Sequence, residues 1–498
     1  MTRAPWWLIA IAAAYLYVFP YFPKIHSANE LPRVYLTQAI ANEGRFKIDT
    51  GVNKWGATAD VSPNGRHMYS NKAPGSSMLA VPAYVAIKLV AGAPSLALSL
   101  WICRVAAGIV PTLVFLWLLW GFLARFAPDP AIRKLVICGY ALGSMAMTYS
   151  ILFYSHQLGA VCAGVAWILA VEVTERKRGW WAMVAAGAFA GSSLLVDYQA
   201  VFATVPIAAL VVVRIWSWPR RDMLRMLGAA GLGAAVPIGI LLGYHTAAFD
   251  SPFRTGYDAS TTFANFHQQG FLGITTLRWE AFWGSMFKPD NGLVTLMPWV
   301  LLAIPGGITL ARKGERAMVL TCAAVAVIFV LFVSSINFWR GGWGVGPRYI
   351  TAMLPFLLPM VAAQLQAWKD RPLLLGAAAS TFVIAVIIYC ASSITFPYWP
   401  DNLNNPFGNV ILRLLGEGLV AGNLGSALGL GAIASVVPFV ALIIASFGVA
   451  LYRAATPKGC AIAVVIGLAV CVGYALIPET AGHAEHVYQF VRAAMVDV

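Results

Sequence analysis

Charge is scarce in this sequence. Of its 498 residues only 11% are Asp, Glu, Lys or Arg, whereas a typical soluble domain carries about 25%. Hydrophobic residues make up 60% of the chain, and apolar runs of about 20 residues, the length that crosses a bilayer, recur throughout it. These runs lack the alternation of a membrane β-barrel. We therefore predict an all-α polytopic membrane protein, with residues 1–498 forming a single integral membrane domain.

Motifs of nucleotide, hydrolase and metal chemistry are also missing. The chain has no GxxxxGK[ST] loop, no GxGxxG after a strand and no GxSxG. Its seven cysteines lie in or beside apolar runs without a CxxC pair, which predicts neither disulfides nor a metal site. We predict no cofactor and leave a divalent metal open. Any chemistry must therefore use a substrate that is already activated and delivered in the membrane.

The net charge of +14 does not form one basic patch. Lys and Arg lie mostly in short loops between apolar runs, as the positive-inside rule expects of a membrane protein. The predicted partners therefore include membrane lipids and exclude nucleic acid.

The positions of these basic loops predict the topology. If residues 76–93 lie in the membrane interface, Arg3 and all the basic loops share one side, which the positive-inside rule makes cytoplasmic. About thirteen transmembrane helices result, with loops 24–96, 248–290 and 393–427 on the outer side. The predicted spans are 5–23, 97–123, 132–151, 156–173, 180–196, 200–217, 226–247, 291–311, 317–336, 350–367, 372–392, 428–452 and 459–477.

The first outer loop carries an isolated carboxylate, Glu30, at the start of a predicted juxtamembrane helix over residues 30–44. Apolar positions at helical spacing and a terminal Gly44 support this helix, which would present Glu30 and Arg33 at its beginning. Glu30 is either a helix cap or a general base. The same loop contains Lys72, which either snorkels towards lipid headgroups or holds a phosphate.

A second unusual segment joins two predicted spans, at residues 337–349. It combines four glycines with Trp343, Arg340 and Arg348. Arginine is costly at membrane depth unless it is paired or binds an anion, so we predict that at least one of the two binds phosphate or substrate. Further candidate site residues lie at predicted outer span ends or in outer loops: Tyr69, Asn71, Arg104, His156, Gln157, Asp197 and Tyr257. Near the start of its span, Arg104 would contact either a lipid phosphate or a carboxylate such as Glu30.

These motifs together resemble the GT-C superfamily of membrane glycosyltransferases, in particular the branch of protein O-mannosyltransferases and lipid A aminoarabinose transferase. Residues 29–35 (NELPRVY) resemble the family's D-E-x-R-Y motif, with Asn-Glu in place of Asp-Glu. Residues 69–75 (YSNKAPG) resemble its Tyr/Phe-x-x-Lys-Pro-Pro motif, and Arg104 stands where an Arg opens the next span. Residues 339–349 resemble a W-x-G-G-x-x-x-G-P-R-Y segment of bacterial members.

The resemblance implies a glycosyltransferase that moves a sugar from a polyprenyl-phosphate carrier to a lipid, glycan or protein acceptor. Glu30 would be the general base of an inverting transfer. Lys72, Arg348, Arg340 and Arg104 would bind the donor phosphate. The remaining candidates would bind substrate: Arg33, Tyr69, Asn71, His156, Gln157, Asp197, Tyr257 and Trp343. The expected location is the bacterial inner membrane, with the active site on the periplasmic face.

A transporter or flippase for a lipid-linked substrate is the competing interpretation, since it also needs many spans and buried charge. Transporters commonly show internal repeats and charged positions near the midplane. The sequence shows no clear repeat, and its polar clusters gather on one predicted side. The glycosyltransferase interpretation is therefore favoured.

Overall fold

The computed structural model describes residues 6–496, so Arg3 lies outside the described residues. The first third of the chain contains α1 (Trp6–Tyr17), α2 (Leu31–Glu43), α3 (Asp49–Trp55), β1 (Val61–Asn64), β2 (His67–Ser70), α4 (Gly75–Ala91), α5 (Leu96–Arg104), α6 (Val110–Leu123), α7 (Pro130–Leu142), α8 (Met145–Ser150) and α9 (Ser155–Thr174). The rest contains α10 (Trp180–Val196), α11 (Val201–Ile215), α12 (Arg220–Phe249), α13 (Ala264–His267), α14 (Trp279–Met286), α15 (Leu293–Leu296), α16 (Ala303–Arg312), α17 (Arg316–Ser335), α18 (Leu354–Ala367), α19 (Pro372–Ile394), α20 (Leu412–Gly416), α21 (Leu424–Ala427), α22 (Ala432–Ile443), α23 (Val449–Ala475) and α24 (Ala481–Met495).

The fold is that of a polytopic helical membrane protein. Within the described residues, eight helical segments are long and apolar enough to cross a membrane, and five more apolar helices are shorter. The longest segment, Ala432–Ala475, breaks at Thr456, whose φ of 56° is not helical and which precedes Pro457. This break confirms the predicted division between spans 428–452 and 459–477, because proline cannot continue the hydrogen-bond ladder of a helix.

Ion pairs bring three of the predicted basic loops together at one end of the bundle, which we call the basic end. Arg125 lies 2.7 Å from Glu175 and 3.6 Å from Glu315, which joins three of these loops. The start of α1 is at the same end, where the ring of Trp7 packs 5.4 Å from that of Trp120. Residues between α1 and α5 therefore lie at the opposite end, the loop end, and α4 does not cross the bundle.

The first predicted span, 5–23, is longer than the helix that forms. Helix α1 ends at Tyr17, because Val18 pairs with Asn423 as an isolated bridge and Phe19 donates its N–H to the carbonyl of Gly422 at 2.7 Å. The chain from Val18 onwards is thereby held against the 393–427 loop. Proline at position 20 also lacks the N–H that a continuing helix needs.

The predicted helix over 30–44 is confirmed as α2, which ends at Gly44 with a left-handed φ of 63°. Its surroundings differ from the prediction, because Glu30 and Arg33 are both buried. Glu30 makes no side-chain cap bond to the helix, so the capping interpretation of this residue was wrong. Helix α2 packs along α4 at the loop end.

The β1–β2 hairpin was not predicted. Its strands pair Val61 with Ser70, and a two-residue turn begins at Gly65, whose φ is 59°. Glycine suits the first position of such a turn, since it accepts a positive φ without strain. The hairpin places Asp60 opposite Asn71, and so beside Lys72.

Candidate active site

A charged cavity of about 470 Å³ opens at the loop end of the bundle. The first loop, the 337–349 segment, the 248–290 loop, the 393–427 loop and α24 all contribute to its wall. Its lining residues that bear on chemistry are Asp60, Lys72, Tyr154, His267, Trp343, Arg348, Tyr349, Tyr398 and Asp401. Of the predicted site residues, the cavity therefore brings together Lys72, Arg348 and Trp343.

The hairpin positions Lys72 and the previously unnoticed Asp60. The backbone N–H of Asn71 donates to the carbonyl of Asp60 at 3.3 Å, one step beyond the last strand pair. This register puts the Lys72 ammonium 2.9 Å from Oδ1 of Asp60, with both residues buried. Lys72 therefore does not snorkel, and its head group belongs to the cavity.

The electrostatics of the cavity act strongly on Lys72. The pKa of its ammonium is lowered to about 8, because burial, Arg33 and Arg348 together lower it by more than the neighbouring Asp60 raises it. The ring of Tyr257, from the 248–290 loop, covers the ammonium at 5.4 Å. That loop approaches closely because its Gly256 has no side chain; a Cβ there would lie 2.4 Å from the Cα of Asn71.

Arg348 lies across the cavity and is held by backbone carbonyls. Its Nη2 donates to the carbonyl of Gly341 and its Nη1 to that of Trp343 at 3.4 Å, while Nε is buried without a hydrogen-bond partner. Among the residues that the structure describes, no carboxylate forms an ion pair with Arg348. Carbonyls orient a guanidinium without neutralising it, so its charge remains available for an anion.

Glu30 and Arg104 form a separate, buried ion pair. Arg104 donates through Nε and Nη2 to the two carboxylate oxygens at 2.9 Å each. The Tyr398 hydroxyl donates at 2.7 Å and the backbone N–H of Phe153 at 2.5 Å. The Phe153 N–H is free for this bond because the chain is not helical between α8 and α9.

This ion pair lies beside the cavity, in a pocket of about 10 Å³ that shares Tyr398 with it. Arg104 uses Nη1 on the carbonyl of Pro20 at 3.2 Å, so all of its nitrogens are engaged. The structure thus places Arg104 against Glu30, not among the residues of the cavity where phosphate binding was predicted. Arg340 is likewise placed elsewhere, paired with Asp290 and with the backbone of Asp401.

A second layer lies behind the cavity wall. His156 Nδ1 is 2.8 Å from Asp197, and its Nε2 is buried without a hydrogen-bond partner. The His156 ring meets those of Tyr349 and Tyr154 edge to face, at 5.8 and 6.1 Å. The predicted residues His156 and Asp197 therefore position the wall and do not form it.

The remaining predicted residues also support the site from outside. Arg33 donates to Ser155 at 2.6 Å and to Asn29. Asn71 donates to Oδ1 of Asp60 at 3.2 Å. Gln157 donates to Tyr140 at 3.2 Å, and the ring of Tyr69 packs 5.8 Å from that of Phe249.

Sequence reasoning missed Asp60, Tyr398 and His267. Asp60 is revealed only by the hairpin's actual register. The usual Asn-Gly turn, at Asn64-Gly65, would place residue 60 opposite Tyr69, whereas the observed turn at Gly65-Arg66 places it opposite Asn71. Tyr398 and His267 lie in long loops without a motif, and only the packing of these loops reveals them. Burial and the charge of Lys72 lower the pKa of His267 to about 4, so its imidazole lines the cavity in the neutral form.

No protein-family model matches the chain, and no curated protein sequence matches it. Solved structures do. ArnT from Cupriavidus metallidurans in the apo state superposes with a TM-score of 0.52 at 13% identity, covering 94% of this chain and 74% of that one. The structure of ArnT from the same organism bound to undecaprenyl phosphate gives 0.51 at 13% identity, over 94% and 75%.

The arabinosyltransferase EmbB from Mycobacterium smegmatis covers 94% of this chain and 44% of its own, at 13% identity and a TM-score of 0.46. At such identities the likeness concerns the fold. This chain therefore shares the overall fold of the two ArnT structures.

Proposed function

We propose that this protein transfers a sugar from a polyprenyl-phosphate carrier to an acceptor, on the periplasmic face of the bacterial inner membrane. One observation carries the proposal: Lys72 and Arg348 are both buried in the wall of one cavity at the loop end. Two buried cations repel each other, and an anion between them offsets that repulsion. The likeness in fold to ArnT, which has been solved with undecaprenyl phosphate, supports a lipid phosphate as this anion.

The transfer requires the site to stabilise the leaving phosphate and to deprotonate the acceptor. When the bond between sugar and phosphate breaks, the charge on the phosphate grows from about −1 to about −2. Lys72 and Arg348 are already oriented towards the cavity, and such preorganised cations stabilise the developing charge best. A carboxylate must also take the proton of the acceptor nucleophile, whose attack from the opposite face inverts the anomeric carbon.

The resemblance assigns that proton to Glu30, and this assignment stays a prediction. For Glu30 to act as base, its ion pair with Arg104 has to open. The basic end of the bundle would face the cytoplasm, which the positive-inside rule supports.

The test uses the purified chain in proteoliposomes with undecaprenyl-phosphate pentose and hexose donors and an extract of cell envelope as acceptor source. Release of undecaprenyl phosphate, with the sugar recovered on a lipid, glycan or protein, is the expected result. Mass spectrometry identifies both products. Movement of the intact donor across the bilayer without release of undecaprenyl phosphate would instead support a transporter and contradict the proposal.

The turn at Gly341 offers a further prediction. Gly341 has a φ of 73°, and a Cβ there would lie 2.7 Å from Nε of Arg348. Gly341→Ala is therefore expected to displace the guanidinium and to weaken binding of undecaprenyl phosphate about tenfold, roughly 1.4 kcal/mol. Isothermal titration in detergent measures this affinity.

Gly418→Ala is the matched control for this change. Its φ of 74° imposes the same backbone strain, but the nearest atom to a Cβ is 3.5 Å away, on Ala432. Equal loss of affinity in both variants would show that backbone strain, not Arg348, is responsible.

A further inference from the structure

Asp60 and Glu30 differ in how many hydrogen bonds their carboxylates already accept, and so in how free each is to take a proton. A carboxylate accepts about four hydrogen bonds. Glu30 receives four, from two nitrogens of Arg104, from Tyr398 and from the N–H of Phe153. Its side chain is 3% exposed and lines only the narrow neighbouring pocket.

Asp60 is less fully engaged and lines the main cavity. Both of its side-chain contacts, with Lys72 at 2.9 Å and with Asn71 at 3.2 Å, involve Oδ1. Among the described residues 6–496, no donor contacts Oδ2, although its side chain is 8% exposed. Since Asp60 lines the cavity, that exposed part faces the space where an acceptor has to lie.

Lys72 connects this carboxylate to the donor site. Its ammonium has three N–H donors, one of which is directed at Asp60. A phosphate that enters the cavity competes for the same ammonium, because phosphate oxygens are strong acceptors of charge-assisted hydrogen bonds. Binding of the donor therefore loosens the Asp60–Lys72 contact at the moment when a base is needed.

We propose that Asp60 is the catalytic base of the transfer, freed for this role when the donor phosphate takes over Lys72. The inference rests on the function proposed above. The acceptor O–H gives its proton to Asp60, and its oxygen forms a bond to the anomeric carbon. The bond between that carbon and the phosphate oxygen breaks, and its electron pair leaves with polyprenyl phosphate. Until the donor arrives, Asp60 remains the counter-ion of Lys72.

The competing role is purely structural, with Asp60 serving only to hold Lys72. The two roles predict different results for Asp60→Asn. A lost base lowers turnover about 10²- to 10⁴-fold while undecaprenyl phosphate binds as tightly as before or more tightly, because Lys72 loses its competing anion. If Asp60 only positions Lys72, the Asn variant binds undecaprenyl phosphate more weakly, and turnover falls because of the weaker binding.

The experiment measures turnover and undecaprenyl phosphate affinity for Asp60→Asn in proteoliposomes. Asp49→Asn is the matched control, since Asp49 lies in the same loop, half-buried beside His67 and outside the cavity. We expect the control to stay within about threefold of the parent, because Asn keeps an oxygen that can accept the hydrogen bond from the N–H of Met68. Loss of turnover with retained affinity supports Asp60 as base. Retained turnover, or loss through weakened affinity, overturns it.

Asp60→Glu decides the question if the Asn variant does not fold. It keeps the carboxylate but moves it by one methylene, so turnover should fall at unchanged donor affinity; unchanged turnover contradicts the proposal. Failure of the parent protein to release undecaprenyl phosphate from any donor is a different outcome, which overturns the proposed function itself.

Discussion

Replacing Arg104 with Met is expected to lower the free energy of unfolding by about 3–5 kcal/mol, the cost of leaving one member of a buried ion pair without its partner. The side chains of Arg104 and Glu30 are each 3% exposed, so water cannot replace the lost contacts. Titration with SDS in mixed micelles, followed by circular dichroism, measures the loss. The pair joins α5 to the start of α2, and its loss loosens the whole first loop.

Two further variants show whether the loss of stability comes from an unpaired buried charge. The double variant Glu30→Gln/Arg104→Met removes both charges and should recover much of the stability, since no unpaired charge then remains buried. Arg492→Met is the surface control, because its pair with Glu417 is exposed and should contribute little. An Arg104→Met protein as stable as the parent would show that the pair does not hold the loop.

The Glu30→Gln variant also tests the base assignment. Turnover has to be measured per folded molecule, because the substitution leaves Arg104 without its anion. Loss of turnover in the folded fraction would support Glu30 as the base. Normal turnover would remove Glu30 from the chemistry and leave Asp60 as the buried carboxylate of the cavity.

Replacing Lys72 or Arg348 with Gln is expected to weaken binding of undecaprenyl phosphate about 10- to 100-fold each, the equivalent of about 1.5–3 kcal/mol for a hydrogen bond to a charged group. The two cations lie in the wall of the same cavity, and each should contribute to one phosphate. Isothermal titration with undecaprenyl phosphate measures the effect. A simple polyprenol without phosphate should bind the parent and both variants equally.

Exposed residues of the same loops provide the controls. Lys54→Gln and Arg254→Gln remove one positive charge each from the loop end without touching the cavity. If these weaken binding as much as Lys72→Gln does, the effect is one of net charge and the two-cation site is wrong. A greater than additive loss in Lys72→Gln/Arg348→Gln would show that the two cations act on one ligand.

Much of the fold was open to prediction because membrane helices obey local rules. Apolar runs of sufficient length form helices, and Lys and Arg distribute asymmetrically between the two sides. These rules correctly identified the helical, membrane-protein character of the chain and the break near residue 456. They overestimated the length of the first helix. It ends at Tyr17 because Val18 pairs with Asn423, a residue far away in the sequence that local rules cannot take into account.

In the site, the cations could be predicted from the sequence but their partners could not. Lys72 and Arg348 were identified because a cation among apolar and glycine residues is unusual wherever it occurs. Their partners were not, since pairing depends on which loops meet in space. For Arg104 two partners were open, a lipid phosphate or a carboxylate such as Glu30, and only the tertiary structure decides for Glu30, 74 positions away along the chain.

The sequence by itself determined the class of protein, most of its helices and a set of candidate cations that includes Lys72 and Arg348, because each depends on composition or on residues close in the chain. Only the tertiary structure decided which carboxylate faces which cation. Glu30 is saturated by Arg104, Tyr398 and a backbone N–H, whereas a hairpin turns Asp60 towards Lys72 and the cavity. The ionic partners come from distant segments, and the low dielectric of the packed interior makes their pairing strong.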